Sequence, residues 1–163
     1  MEPVLHYLIP VIFLLIVFPK VNKKMGFSLA ALALIIDLEF YTPLHRALTH
    51  NLLFMFIVSV IFYFLVNKEA MYLSLYFIGS HLILDSAFPG NALFYPFYDK
   101  AFYITINITS GFIFDFDIGT TDLALRPKVI SYLFTTEAFL ILTLLIILLA
   151  VKYRKTIFTY KKN

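Results

Sequence analysis

The sequence predicts an all-α, polytopic membrane helix bundle of about five transmembrane helices, with a long outer connection between the fourth and fifth. Three observations predict it. Of the 163 residues, 61% are hydrophobic and 14% charged, whereas a soluble domain is about half apolar and about a quarter charged. The apolar residues gather in five runs divided by charged and turn-forming residues. The charges between the runs are sided as the positive-inside rule requires. Mean hydropathy is +0.89.

The first run, Val4 to Phe18, closes on Pro19 and Lys20. Glu2 precedes it and Lys20, Lys23 and Lys24 follow, the reverse of a cleavable signal peptide, so a retained helix over about 4–19 is expected. The second run, Phe27 to Phe40, is interrupted by Asp37 and Glu39 and gives a helix over about 27–40. Leu52 to Val66, Met71 to Leu84 and Val129 to Val151 give helices over about 50–66, 70–85 and 129–151. Only the last clears the roughly 20 residues that cross a bilayer comfortably. The other four hold roughly 14 or 15 apolar residues, about 22 Å at helical rise, and span only with their polar ends sunk in the interface. A re-entrant pair made of the first two is the alternative.

The whole chain, 1–163, reads as one integral membrane domain. Lys20 to Lys24, Asn67 to Glu69 and the basic tail 152–163 fall on the inner side. Asp37 to His50 and the Asp-rich connection 86–128 fall outside. This orientation puts the N-terminus out and the C-terminus in the cytoplasm, with the tail against anionic head groups. Within the connection, Phe102 to Ile108 and Phe112 to Ile118 alternate apolar with polar residues around Ser110-Gly111, a hairpin signal. Its apolar face either lies on the bilayer surface or covers a site as a lid.

With no cysteine in the chain, disulfides, thiolate zinc sites and cysteine nucleophiles are excluded. No basic segment is interleaved with aromatic residues in the way nucleic-acid binding needs. All four histidines, His6, His45, His50 and His81, fall at the outer ends of their helices with Asp37, Glu39 and Asp85. Such groups are costly near hydrocarbon and mark a site. His81 and Asp85 are four apart and share one helix face. Asp37 and Glu39, two apart, point roughly 200° from each other on a straight helix. They converge only if the helix ends or unwinds near Leu38, which Tyr41-Thr42-Pro43 favours. His45 and His50 converge only if the next helix starts near Leu48 or Thr49.

Imidazole with carboxylate suits Zn²⁺ first, then Mn²⁺ or Fe²⁺, as one ion with a second shell or as two. Arg46 can pair with a phosphate in fork geometry. A water of lowered pKa is then the nucleophile and a carboxylate the general base. Each residue also has a plainer reading. A histidine in an apolar run, His6 above all, can be a hydrogen-bonded packing residue, Glu39 an interface marker, and Arg46 a snorkelling side chain. Asp115 and Asp117 read as solvated strand residues, and the sequon Asn107-Ile108-Thr109 is too short to weigh.

These residues together form a pattern. A carboxylate pair closes a short apolar helix, then His45-Arg46-Ala47-Leu48-Thr49-His50, His81-Leu82-Ile83-Leu84-Asp85, Pro89-Gly90-Asn91 and Tyr95-Pro96-Phe97 follow in order. The pattern resembles the YdjM-type membrane-bound metal-dependent hydrolases over roughly residues 1 to 100, His-Arg-x-x-Thr-His being its most specific piece. An early histidine, here His6, also fits. Ile36 stands where that family usually has Pro, Glu39 where it has Asp, Ala47 where it has Gly, and Asn51 where it has Ser. The resemblance implies a membrane hydrolase but supplies no substrate.

The expectation is a membrane-embedded metal-dependent hydrolase acting on an amphiphile, a phospholipid or other phosphoester. The expected metal ligands are first His45, His50, His81, Asp37 and Asp85, with Glu39 and His6 as further ligands. Asp37, Glu39 and Arg46 are the candidate catalytic groups, and Arg46 and Asn91 the candidate substrate contacts. The competing readings are a metal-ion or proton transporter and a non-catalytic membrane protein with a structural metal. A transporter wants polar residues continuing to the other face, and the inner halves offer little beyond Ser59 and Ser74.

Overall fold

The computed structural model describes residues 3–41, 46–87, 90–109 and 113–123. The expected fifth span and basic tail lie outside them. Helix α1 runs over Pro3–Val17, α2 over Lys23–Ala30, α3 over Leu32–Ile35, α4 over Leu52–Leu65 and α5 over Lys68–Leu84. A 3-10 helix, Ile36–Tyr41, follows α3, and strands β1 (Lys100–Thr109) and β2 (Ile113–Asp122) pair antiparallel.

The expectation of an all-α bundle of five membrane spans is overturned. The fold is a set of short helices with a two-stranded sheet, and no described helix is long and apolar enough to cross a membrane. The reason is length: α1, α4 and α5 have 15, 14 and 17 residues, short of the roughly 20 that a bilayer core demands. The second run does not form one helix at all. It breaks at Ala31, whose amide reaches back to Ser28 and Leu29, and tightens to 3-10 winding at Ile36.

Polar side chains set the starts of these elements. Asn22, Asn51 and Asn67 each accept a hydrogen bond from a backbone amide three residues on, of Met25, Phe54 and Ala70, which satisfies donors that a helix start leaves open. Glu69 accepts from the Asn22 amide at 3.1 Å and so ties the start of α2 to the start of α5. The core lies between α1, α2 and α5, where Val11, Leu14, Leu29, Ala30, Leu73 and Phe77 are buried. Tyr76 donates from its hydroxyl to the Pro10 carbonyl at 2.7 Å, fixing α5 along α1.

The hairpin is docked beside the end of α5. Ile104 N donates to Ser86 O at 2.7 Å, and Asn91 pairs with Phe102 through both backbone groups. Gly90 takes φ of 83°, and a Cβ there would fall 2.0 Å from the Phe102 carbonyl oxygen. Only glycine permits that approach.

Candidate metal centre

Asp37, His50 and the His81–Asp85 pair come from three segments of chain, yet their ligand atoms all lie within 4.8 Å of one another. Asp37 sits in the 3-10 helix, His50 in the loop before α4, His81 in the last turn of α5, and Asp85 caps that helix. The tightened winding is what turns Asp37 inward. The α-helix gives way at Ile36 rather than near Leu38, and α4 begins at Leu52 rather than at Leu48 or Thr49. His81 and Asp85 share a face as their spacing requires, Nε2 to Oδ2 at 3.8 Å.

The inward atoms are close. His81 Nε2 lies 3.1 Å from His50 Nε2 and 3.6 Å from Asp37 Oδ1. His50 Nε2 is 3.4 Å from Asp85 Oδ2 and 4.0 Å from Asp37 Oδ1. A tetrahedral ion with bonds of about 2.0–2.1 Å puts its ligand atoms about 3.3 Å apart, so these separations bracket what such an ion needs. Two imidazole nitrogens with their lone pairs facing at 3.1 Å repel unless a proton or a cation lies between them. The donor set, two imidazoles and two carboxylates, fits a borderline divalent ion. His50, His81 and Asp85 are buried, and the Asp37 side chain, 20% exposed, is the centre's contact with solvent.

The surrounding groups orient these four. Glu39 does not join them; it stands behind His50. Its Oε1 accepts from the amides of Ala47 at 2.7 Å and Leu48 at 2.5 Å, and its Oε2 from the Thr49 amide at 2.8 Å and from the Thr49 hydroxyl. Oε2 also takes the proton of His50 Nδ1 at 2.9 Å, which leaves Nε2 as the inward lone pair. Burial raises the Glu39 pKa, but the hydrogen bonds from His50, Thr49 and Leu48 outweigh it and hold the carboxyl at about 2.

His6 also stands outside the four. Its ring is fully buried against His81, centroids 4.1 Å apart, and it spans the outer oxygens of both aspartates: Nδ1 is 3.3 Å from Asp37 Oδ2 and Nε2 3.1 Å from Asp85 Oδ1. Burial lowers the His6 pKa, but contact with Asp37 and Asp85 raises it on balance. Burial, with His6 and His50 nearby, pushes His81 down to about 3 and keeps it neutral, the form that binds metal. For Asp85 the hydrogen bonds from His50 and His6 and the charge of Arg46 overcome burial and hold the carboxyl well below its ordinary range.

Arg46 has φ of 66°, a left-handed conformation sparsely used outside glycine. Its guanidinium meets Asp85 Oδ2 at 3.2 Å and donates to the carbonyls of Asp85 at 3.3 Å and Gly90 at 3.4 Å. The positive φ falls on Arg46, so the buried Ala47 needs no glycine. Asn91 donates through Nδ2 to Leu82 O at 2.7 Å and holds the end of α5. Its Oδ1 has no hydrogen-bond partner among the described residues. His45 lies outside them.

Two contributors had no role in the sequence-based site. Thr49 donates from Oγ1 to Ile36 O at 3.0 Å as well as to Glu39. Asn51 donates to the carbonyls of Ala47 at 2.6 Å and Leu48 at 2.8 Å, fixing the loop that carries His50. An asparagine just before an apolar run is a helix-start signal and marks Asn51 in the sequence. Thr49 is marked in the sequence only as a member of the His-Arg-x-x-Thr-His piece.

A centre of two histidines and two aspartates, with His50, Asp37 and Asp85 held by further polar side chains and His81 packed against the His6 ring, on short helices with an appended hairpin, defines a candidate thiolate-free metal protein. The chain belongs to the YdjM inner membrane protein family, whose model matches residues 3–156. No curated protein and no solved structure matches it.

Proposed function

We propose that this protein is a metal-dependent hydrolase that binds Zn²⁺ through Asp37, His50, His81 and Asp85 and acts on an amphiphilic phosphoester. The observation that supports this reading is the set of inward separations from 3.1 to 4.0 Å among four donors from three segments of chain. When bound, the ion would supply Lewis acidity toward a phosphoryl oxygen and acidify a water to a neutral-pH nucleophile. Asp37, the solvent-reached carboxylate, is the proposed general base. Arg46 has five N–H donors and three contacts among the described residues, which leaves capacity for a phosphoryl oxygen. Glu39 and His6 are assigned to orienting the ligands.

The family's description as an inner membrane protein supports a lipid or another membrane amphiphile as substrate. The Lys-rich stretches Lys20 to Lys24 and Lys152 to Lys162 in the sequence support a cytoplasmic side for those stretches. The transporter reading lacks a polar path among the described residues. The Ser59 and Ser74 hydroxyls donate to their own helices, at Met55 O and Met71 O.

Elemental analysis of the purified protein, followed by a screen with lipid phosphoesters, tests the proposal. Zinc in the wild type, hydrolysis lost on chelation and restored by zinc, and loss of both metal and activity in His81→Ala are expected. Metal content retained in His81→Ala would sink the ligand assignment. A zinc-loaded protein inert on every lipid phosphoester would leave a structural ion instead.

A further inference from the structure

The β1–β2 hairpin carries an apolar face that nothing described covers. In its register Ile104 lies opposite Ile118 and Ile106 opposite Phe116, and alternation puts all four side chains on one face. They are 46%, 72%, 58% and 64% exposed. Their exposure also means that this face does not close over the metal centre. Phe102, next along the same face, packs against Phe94 and Tyr98, with centroids 5.3 and 5.7 Å apart. The apolar strip therefore continues from the hairpin to the 90–98 segment, whose Ala92 and Leu93 backbone groups bond Arg46 and Leu52 of the site loop.

We propose that this face, carried by Ile104, Ile106, Phe116 and Ile118, lies on the acyl-chain surface of a phospholipid bilayer. Charge distribution selects that partner. None of the four face residues is charged, while Asp115 and Asp117 alternate onto the opposite face. The ribbon can therefore meet hydrocarbon without burying a charge. At the base of the same face Lys100 and Asp122 pair with each other at 3.5 Å, and with Asp99 beside them the surroundings stay acidic on balance, so contact is apolar rather than a capture of anionic head groups. A second copy of the chain is too demanding an occupant. Two strands about 10 Å wide over about 20 Å present on the order of 200 Å², against about 800 Å² per partner in a stable interface. The family's description as an inner membrane protein supplies the bilayer. The inference stands whether or not the metal centre is catalytic.

The chain contains no tryptophan, so one introduced indole reports on one position. The full-length protein carrying Phe116→Trp, reconstituted in phosphatidylcholine vesicles, would be compared with Asp115→Trp, one residue away on the other face. Acyl chains brominated near the glycerol end would quench Phe116→Trp emission, and aqueous acrylamide would quench Asp115→Trp. Equal quenching of the two by bromolipid overturns the proposal. So does an indole at 116 that acrylamide reaches and bromolipid does not, or that neither reaches, the last result meaning a protein cover. Ile106→Trp and Thr105→Trp repeat the comparison on the neighbouring strand should either first variant fail to fold.

Discussion

At the scale of single residues, the centre depends on which oxygen or nitrogen each side chain turns inward. Asp37 and Asp85 present one oxygen to the histidine pair and the other to His6. Glu39 fixes the His50 tautomer from behind. Removing such an outer partner typically weakens a metal site by about 10–100-fold. Glu39→Gln is therefore expected to keep one ion per chain but bind it about 10–100-fold more weakly in competition with a chromophoric chelator. An unchanged affinity would refute the orienting role. His6→Gln separates strut from ligand: one ion per chain at reduced affinity is expected, and loss of the ion would make His6 a ligand. The sequence named His6, Asp37, Glu39, His50, His81 and Asp85 from residue type and position alone. It ranked Asp37, His50, His81 and Asp85 ahead of Glu39 and His6 but still took the last two as ligands, because their turn away from the centre rests on rotamers set by neighbours distant in the chain.

Among the elements, the loop before α4 does most to build the site. Asn51 caps the helix through its oxygen and holds the Ala47 and Leu48 carbonyls through its nitrogen. Asn51→Ala is expected to lose about 1 kcal/mol from the cap and about 1 kcal/mol for each released hydrogen bond, read as a lowered midpoint of thermal unfolding. Asn51→Asp keeps the acceptor and loses the two donors, so it should fall between; a loss equal to Asn51→Ala would show that the cap contributes nothing. In the hairpin, Gly119 faces Tyr103 across the strands, and a Cβ there would meet the Tyr103 hydroxyl oxygen at 2.5 Å. Gly119→Val should therefore push the Tyr103 ring aside while the sheet holds, seen as backbone protection in hydrogen exchange that is unchanged over 100–122. The strand alternation was legible, since a period-2 pattern is local; the Asn51 and Asn67 caps that set the starts of α4 and α5 are local signals too, but the run-based bounds missed them. The break at Ala31 was not, because no proline or glycine marks it.

For the molecule as a whole, stability rests on the α1, α2 and α5 core around Phe77, which is fully buried. Phe77→Ala is expected to cost about 3–5 kcal/mol in denaturant titration of the reconstituted protein; a loss under about 1 kcal/mol would mean the core repacks around the gap. Five apolar runs suggested five spans, but a run's hydrophobicity does not fix how its backbone winds. The described helices are short, and much of their apolar surface, including Phe56, Ile57, Val60 and Phe64 of α4, faces outward.

The sequence by itself determined that the chain is apolar and free of thiolates, that its histidines and acids gather near a few helix ends, and that 102–118 alternates as a hairpin. These are properties of residue type and short spacing, and they survive whatever the long-range packing does. Only the tertiary structure decided that the second run tightens into a 3-10 turn, that Asp37 faces in while Glu39 backs His50, and that His6 bridges two carboxylates. Those outcomes depend on contacts between residues 11 to 79 positions apart. No local rule of spacing reaches across such separations.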